Sequence, residues 1–121
     1  MKKLLFLLKF FFIFLTNLNS FEPKLEEVFE GLSSPWSFSF LNEQNIIITE
    51  KSGNFVKLNL IDKTIKNINH NLNIYEDGQG GLLDVLYDKG IIYASYSENR
   101  GNGKSSTSAA RARFSDEKLN F

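Results

Sequence analysis

Trp36-Ser37-Phe38-Ser39-Phe40-Leu41-Asn42-Glu43-Gln44-Asn45-Ile46-Ile47-Ile48-Thr49-Glu50-Lys51-Ser52-Gly53 sets the fold class. Trp36, Phe38 and Phe40 alternate with Ser37, Ser39 and Leu41, the period-two pattern of a strand. Asn42 to Asn45 is polar and turn-forming, and Ile46 to Thr49 is a compact β-branched run. Glu50 to Gly53 is a second turn. Beyond it, Phe55, Lys57 and Asn59 alternate with Val56, Leu58 and Leu60. Ile61-Asp62-Lys63 turns again, and Thr64 to Ile68 reads as a more polar strand suited to an outer edge. Four short strands joined by tight turns make a β-meander.

The pattern then restarts. Leu82 to Tyr87 reads as a strand, Asp88-Lys89-Gly90 as a turn and Ile91 to Ser97 as a strand. Glu98 to Ser106 reads as a long polar loop, with a mobile glycine-bearing stretch over Asn99 to Ser108, and Thr107 to Phe114 as a further strand. Phe38-Ser39-Phe40 lines up with Leu83-Asp84-Val85, and Ile46-Ile47-Ile48 with Ile91-Ile92-Tyr93, each 45 residues on. A repeat of roughly 40–50 residues with four strands per unit marks propeller blades. On periodicity alone, two copies leave a propeller and a plain meander both open. The expected fold class is all-β: about one and three-quarter blades, which a propeller would complete with further blades beyond Phe121 or with partners.

Between the two units lies Glu76-Asp77-Gly78-Gln79-Gly80-Gly81-Leu82-Leu83-Asp84. Three glycines in four positions exclude a helix or an ordinary strand, because glycine gives up the most backbone freedom on ordering. The stretch is a polar loop running into an apolar strand, which places Asp77 and Gln79 at a strand mouth.

Composition removes several function classes. The chain has 121 residues and no cysteine, so a disulfide framework and a thiolate metal site are excluded. His70 is the sole histidine and cannot alone make a zinc site. Formal net charge is zero. Without Lys2, Lys3 and Lys9, 11 basic side chains stand against 14 acidic ones, so nucleic-acid binding has no electrostatic footing. Lys2-Lys3 before the Leu- and Phe-rich run Leu4 to Leu15 matches the charged and apolar regions of an export signal. Ser20 supplies a small residue for cleavage, giving a signal over 1–20 and a mature domain over 21–121. Lys9 and Leu18 depart from the usual pattern, which keeps an uncleaved anchor or a buried helix as alternatives. The run is short against the roughly 20 residues of a bilayer span, so no stable span is expected after cleavage. Export implies a periplasmic or secreted protein.

Five pieces in order resemble one known family. Gly31-Leu32-Ser33-Ser34-Pro35-Trp36 through Leu41, Ile48-Thr49-Glu50-Lys51-Ser52-Gly53, Gly78-Gln79-Gly80-Gly81-Leu82-Leu83-Asp84-Val85, Ile92-Tyr93-Ala94-Ser95-Tyr96 and Ala110-Arg111-Ala112-Arg113-Phe114 are similar to the N-terminal part of the soluble glucose, aldose-sugar and sorbosone dehydrogenases. The resemblance runs from about Leu32 to Phe114. It implies a six-bladed β-propeller that binds pyrroloquinoline quinone (PQQ) and calcium. It implies oxidation of an aldose C1 hydroxyl to a lactone, with a histidine as general base, hydride transfer to the quinone and a separate electron acceptor. The family's active-site glutamine falls on Gln79, flanked by Asp77 and Gly78. A side-chain amide there donates or accepts a hydrogen bond without titrating. The catalytic histidine, the calcium ligands and the quinone's basic contacts are expected beyond Phe121, so the 121-residue chain alone is expected to be inactive. The alternative is an exported, non-enzymatic propeller used for binding or adhesion.

The remaining residues read more simply. His70 is expected to be an ordinary loop histidine, Asp77 a turn former and Asp84 a buttress of the glycine loop. Glu50 is a solvated or backbone-bonding carboxylate, and Arg111 and Arg113 share a solvated strand face. Trp36 is expected as a core anchor between sheets.

Overall fold

A computed structural model describes residues 22–121, and all of their regular structure is β-strand. The strands are β1 (Pro35–Phe40), β2 (Asn45–Glu50), β3 (Phe55–Asn59), β4 (Ile65–His70), β5 (Leu82–Asp88), β6 (Ile91–Gly101), β7 (Lys104–Arg113) and β8 (Lys118–Leu119). The export segment expected at 1–20 lies outside the described residues. Among the described residues, no helix is long and apolar enough to cross a membrane.

Short side chains write the turns. Asn42 Oδ1 accepts the amides of Gln44 and Asn45 at 2.9 Å, an Asx turn that reverses the chain between β1 and β2. Asn59 and Asp62 do the same between β3 and β4. The Thr64 hydroxyl and then its amide hold the Asp62 carboxyl below its ordinary value. Lys89-Gly90 and Asn102-Gly103 each pair two left-handed residues, the backbone of a two-residue type I′ hairpin.

Two antiparallel meanders result, β1 to β4 and β5 to β7, and β8 adds to β4, giving sheets of order β1-β2-β3-β4-β8 and β5-β6-β7. They stack face to face, with β1 and β2 over β5. Ile47, Phe55 and Ile68 of the first sheet meet Leu82, Val85, Ile92, Ala94 and Ala112 of the second. Phe55 and Ile47 are fully buried, and each contributes about 1.5–3 kcal/mol by leaving water.

The opposite face of the first sheet is apolar too. Ile46, Ile48, Val56 and Leu58 form a second cluster, packed by Phe29, Leu32 and Leu60. This explains the unbroken run Ile46 to Ile48: a strand used on both faces loses the alternation of apolar and polar residues. A sheet with two apolar faces is what blade stacking demands.

Four expectations change. Trp36 is not a core anchor between the sheets: it is 47% exposed, with Phe38 at 57% and Phe40 at 59%, all on the outer face of the first sheet. The serines of β1 turn inward because β5 offers them partners. Ser39 Oγ accepts the Tyr87 amide at 2.9 Å, and the Ser37 hydroxyl donates to the Asp84 carboxylate. The polar strand β4 is not the outer edge along its whole length, because β8 pairs with its last two residues in parallel. Asn71 and Phe121 fasten that return, exchanging hydrogen bonds of 3.1 and 2.8 Å. His70 is not in a loop but ends β4. Finally, Glu98 to Ser106 is not a long loop. Pairing of β6 with β7 continues through Asn99 opposite Ser105, so the region is a hairpin ribbon tipped by Asn102-Gly103.

Candidate functional site

The glycine loop is an excursion from a strand. Ile74 bridges Glu98, and Leu82 pairs with Tyr96. One side advances eight residues while β6 advances two, so the chain loops out between them. Hydrogen bonds close both ends: Tyr75 N–H to the Ser97 carbonyl at 2.8 Å, and Ser97 N–H to the Gly81 carbonyl at 2.8 Å. Glu76 to Gly80 is thus a loop with both feet fixed on one residue of β6.

At its tip, the Gly80 amide donates to the Asp77 carbonyl at 2.7 Å, closing a four-residue turn around Gly78 and Gln79. Gly78 has φ +52 and Gln79 has no positive φ, the pattern of a type II′ turn that asks for glycine at its first central position. Asp77, Gly78 and Gln79 are all exposed. The Asp77 backbone closes the turn, as a turn former should, while the Gln79 amide faces solvent at the tip.

The first sheet braces this loop through the turn after β2. Lys51 accepts the Leu82 amide on its carbonyl at 3.0 Å, and its ammonium donates to the Gly78 carbonyl at 2.6 Å. Gly81 lies so close to Lys51 that a Cβ there would overlap the Lys51 carbonyl. Close backbone approach therefore requires the glycine at 81. Lys51 was not among the residues singled out from sequence. Its only signal was its place beside Glu50 in the Thr49-Glu50-Lys51-Ser52-Gly53 piece.

Glu50 is buried and acts on backbone: its carboxylate accepts the Ser33 amide at 2.6 Å and the Asn54 side chain at 2.8 Å. It ties the segment before β1 to the β2–β3 turn. Asp84 buttresses β1 through Ser37 rather than the glycine loop. Both nitrogens of His70 are engaged. Nε2 sits 2.6 Å from the Gly53 carbonyl, and Nδ1 accepts the Leu72 amide at 3.1 Å. With Nδ1 accepting the Leu72 amide and Nε2 against the Gly53 carbonyl, the ring is occupied in structure rather than poised as a base. Arg111 and Arg113 lie exposed on one face of β7, opposite Tyr93 and Ile91.

The described residues include no group of three or more His, Cys, Asp or Glu that could hold a metal ion. Among the described residues, one open groove lies over the outer face of the first sheet around Phe29, Trp36, Phe38 and Phe40, and another over the second sheet beside Leu86, Tyr93 and Arg111. Gln79 lines neither. The structure brings Lys51 against Gly78 and Gly81, next to Gln79, and the same β2–β3 turn also holds His70 through the Gly53 carbonyl.

A comparison with curated protein sequences gives no match. Solved structures do match. A crystal structure of glucose dehydrogenase is 34% identical with a TM-score of 0.74, covering 81% of this chain and 31% of that one. The soluble aldose sugar dehydrogenase of Escherichia coli, in its apo form, is 29% identical with a TM-score of 0.70, covering 78% of this chain and 29% of that one. The PQQ-bound aldose sugar dehydrogenase of Streptomyces coelicolor is 17% identical with a TM-score of 0.67, over 77% of this chain and 28% of that one, and speaks for the fold alone. The chain spans about 30% of the length of these structures. Its two stacked meanders are accordingly the first blade and most of the second blade of a propeller. The family model for glucose/sorbosone dehydrogenase matches residues 32–121, from the segment packing on the first sheet through β8. The chain belongs to the glucose/sorbosone dehydrogenase family.

Proposed function

We propose that this polypeptide supplies the first two blades of an exported, PQQ-dependent aldose dehydrogenase, and that its direct contribution to the reaction is the Gln79 amide. The observation that carries this reading is the built character of the loop. Five residues, Glu76 to Gly80, leave a regular ladder, both feet are fixed on Ser97, and the tip presents one uncharged amide. A neutral amide in that position suits the edge of a sugar or a quinone: it gives and takes hydrogen bonds at any working pH and adds no charge. Gly78 and Asp77 shape the turn and touch the ligand, if at all, through backbone.

PQQ, when bound, supplies the two-electron acceptor for the sugar's C1 hydride, so the protein's task is orientation and proton handling. Among the described residues no group of three or more His, Cys, Asp or Glu is gathered to hold a metal ion, and backbone groups take up both nitrogens of His70. In this reading the base, the calcium ligands and the charged contacts to the cofactor come from outside residues 22–121, as does the contact with an electron acceptor. Gln79 then aligns the reacting C1 hydroxyl or the quinone edge, and lowers the barrier by fixing geometry rather than by moving a proton.

The test is dye reduction with an aldose, PQQ and calcium. The full-length protein is expected to turn over and to give a lactone, and the 121-residue chain to give none. A full-length protein that binds no PQQ and reduces no dye with any aldose would instead favour a non-enzymatic binding propeller.

A further inference from the structure

We infer that Lys51 is the positioning residue for Gln79: from the first blade, its ammonium sets where the tip of the second blade's loop stands. The inference rests on the reading of Gln79 as a ligand-contacting residue and adds the group that holds it.

Lys51 makes three attachments with three different parts of itself. Its amide donates to the Ser34 carbonyl at 3.0 Å, and its carbonyl accepts the Leu82 amide at 3.0 Å. These two main-chain bonds splice the β2–β3 turn to the segment before β1 and to the foot of the loop, and any side chain at 51 keeps them. The third attachment belongs to lysine. Nζ donates to the Gly78 carbonyl at 2.6 Å, immediately before Gln79. The side-chain stem crosses Gly81, with Cγ 2.8 Å from where a Cβ at that position would stand.

The tip needs such a tether. A Cβ placed on Gly78 would meet nothing within 4 Å, so no packing immobilises the turn there. The turn's own closure is one hydrogen bond, Gly80 to Asp77. Among the described residues, the Lys51 ammonium makes the one side-chain hydrogen bond to the backbone of Asp77–Gln79. A charged donor on a carbonyl is among the stronger hydrogen bonds, and here it spans the junction between two blades. A loop anchored at its feet but free at its tip would swing the Gln79 amide by the ångström that positioning cannot spare.

The experiment uses the full-length protein with Lys51→Met, which keeps the stem and both main-chain bonds and removes only the ammonium, and Lys51→Arg, which restores a charged donor. Without any ligand, exchange of the Gly80 amide is expected to rise on the order of tenfold in Lys51→Met. The Ile47 to Thr49 amides and the melting temperature are expected to stay unchanged, and Lys51→Arg to return most of the protection. With PQQ, calcium and aldose, kcat is expected to fall about tenfold in Lys51→Met with a smaller change in KM, and no further when Gln79→Ala is already present. Unchanged Gly80 exchange in Lys51→Met would overturn the inference, as would an equal loss of kcat in the Gln79→Ala background. If Gln79→Ala leaves turnover intact, the functional reading of Gln79 falls, and the exchange difference alone decides whether Lys51 holds the tip.

Discussion

Lys51 and Gly78 are 27 residues apart in the chain and belong to different blades, yet the lysine ammonium donates to the glycine carbonyl at 2.6 Å. The loop that carries Gln79 is therefore not a property of the second blade alone. It is built where two sheets meet, and its geometry depends on how they stack.

That dependence separates the glycines. Gly81→Ala forces a Cβ into the Lys51 carbonyl at a φ of +152, and is expected to cost about 1–3 kcal/mol or to splay the loop from the β2–β3 turn. Gly78→Ala meets open space and carries only the left-handed backbone penalty, about 1–2 kcal/mol. Urea unfolding of the two variants should rank Gly81→Ala as the more damaging. The opposite order would mean the loop does not press against Lys51.

Thr49 should be sensitive despite its small size. It is fully buried in the first sheet, and its hydroxyl donates to the Leu83 carbonyl of β5 at 2.5 Å. Thr49→Val keeps the shape and leaves that carbonyl without this donor, for an expected loss of about 1–3 kcal/mol in chemical denaturation. A loss below a few tenths would show that solvent reaches the carbonyl.

These cross-sheet bonds mark the boundary of what the sequence discloses. The strands of both meanders were legible, because alternation and turn chemistry are local. The glycine loop was legible for the same reason, since three glycines in four positions forbid regular structure. The face of β1 was not. Alternation fixes which residues share a side but not which side is inward, and Ser37 and Ser39 turn inward only because Asp84 and Tyr87 await them from the other sheet. The ribbon beyond Glu98 was hidden by its serine-rich composition, although Asn102-Gly103 is a hairpin signal. Lys51 carried no mark of its role, because a lysine in a turn reads as solvated until its partner 27 residues away is placed.

His70 is expected to matter for folding and not for chemistry. His70→Ala removes the bonds to Gly53 and Leu72 and the edge contact with Phe55, whose ring lies 5.2 Å away, for an expected cost of about 1–3 kcal/mol. In the proposed dehydrogenase, below the melting temperature of the variant, kcat should be unchanged. A selective collapse of kcat in a folded variant would restore His70 as a base.

Alkaline pH should find Tyr96. Its burial, with the Glu98 carboxylate second, raises the phenol above the ordinary 10.0, while Arg100 opposes them. A folded-state pKa above the unfolded value means this stability is fully present below pH 10 and fades as pH rises through the higher folded value. Tyr96→Phe should therefore flatten the fall in denaturation midpoint above pH 10 relative to wild type. An unchanged slope would show that the phenol is no more protected than in the unfolded chain.

The most direct measurement concerns the amide at the tip. In the full-length protein loaded with PQQ and calcium, Gln79→Ala should lower kcat/KM for an aldose about 100-fold while the melting temperature stays within a degree or so, because the exposed side chain supports no packing. Wild-type turnover in a folded, loaded Gln79→Ala protein would contradict the assignment of this loop to the active site.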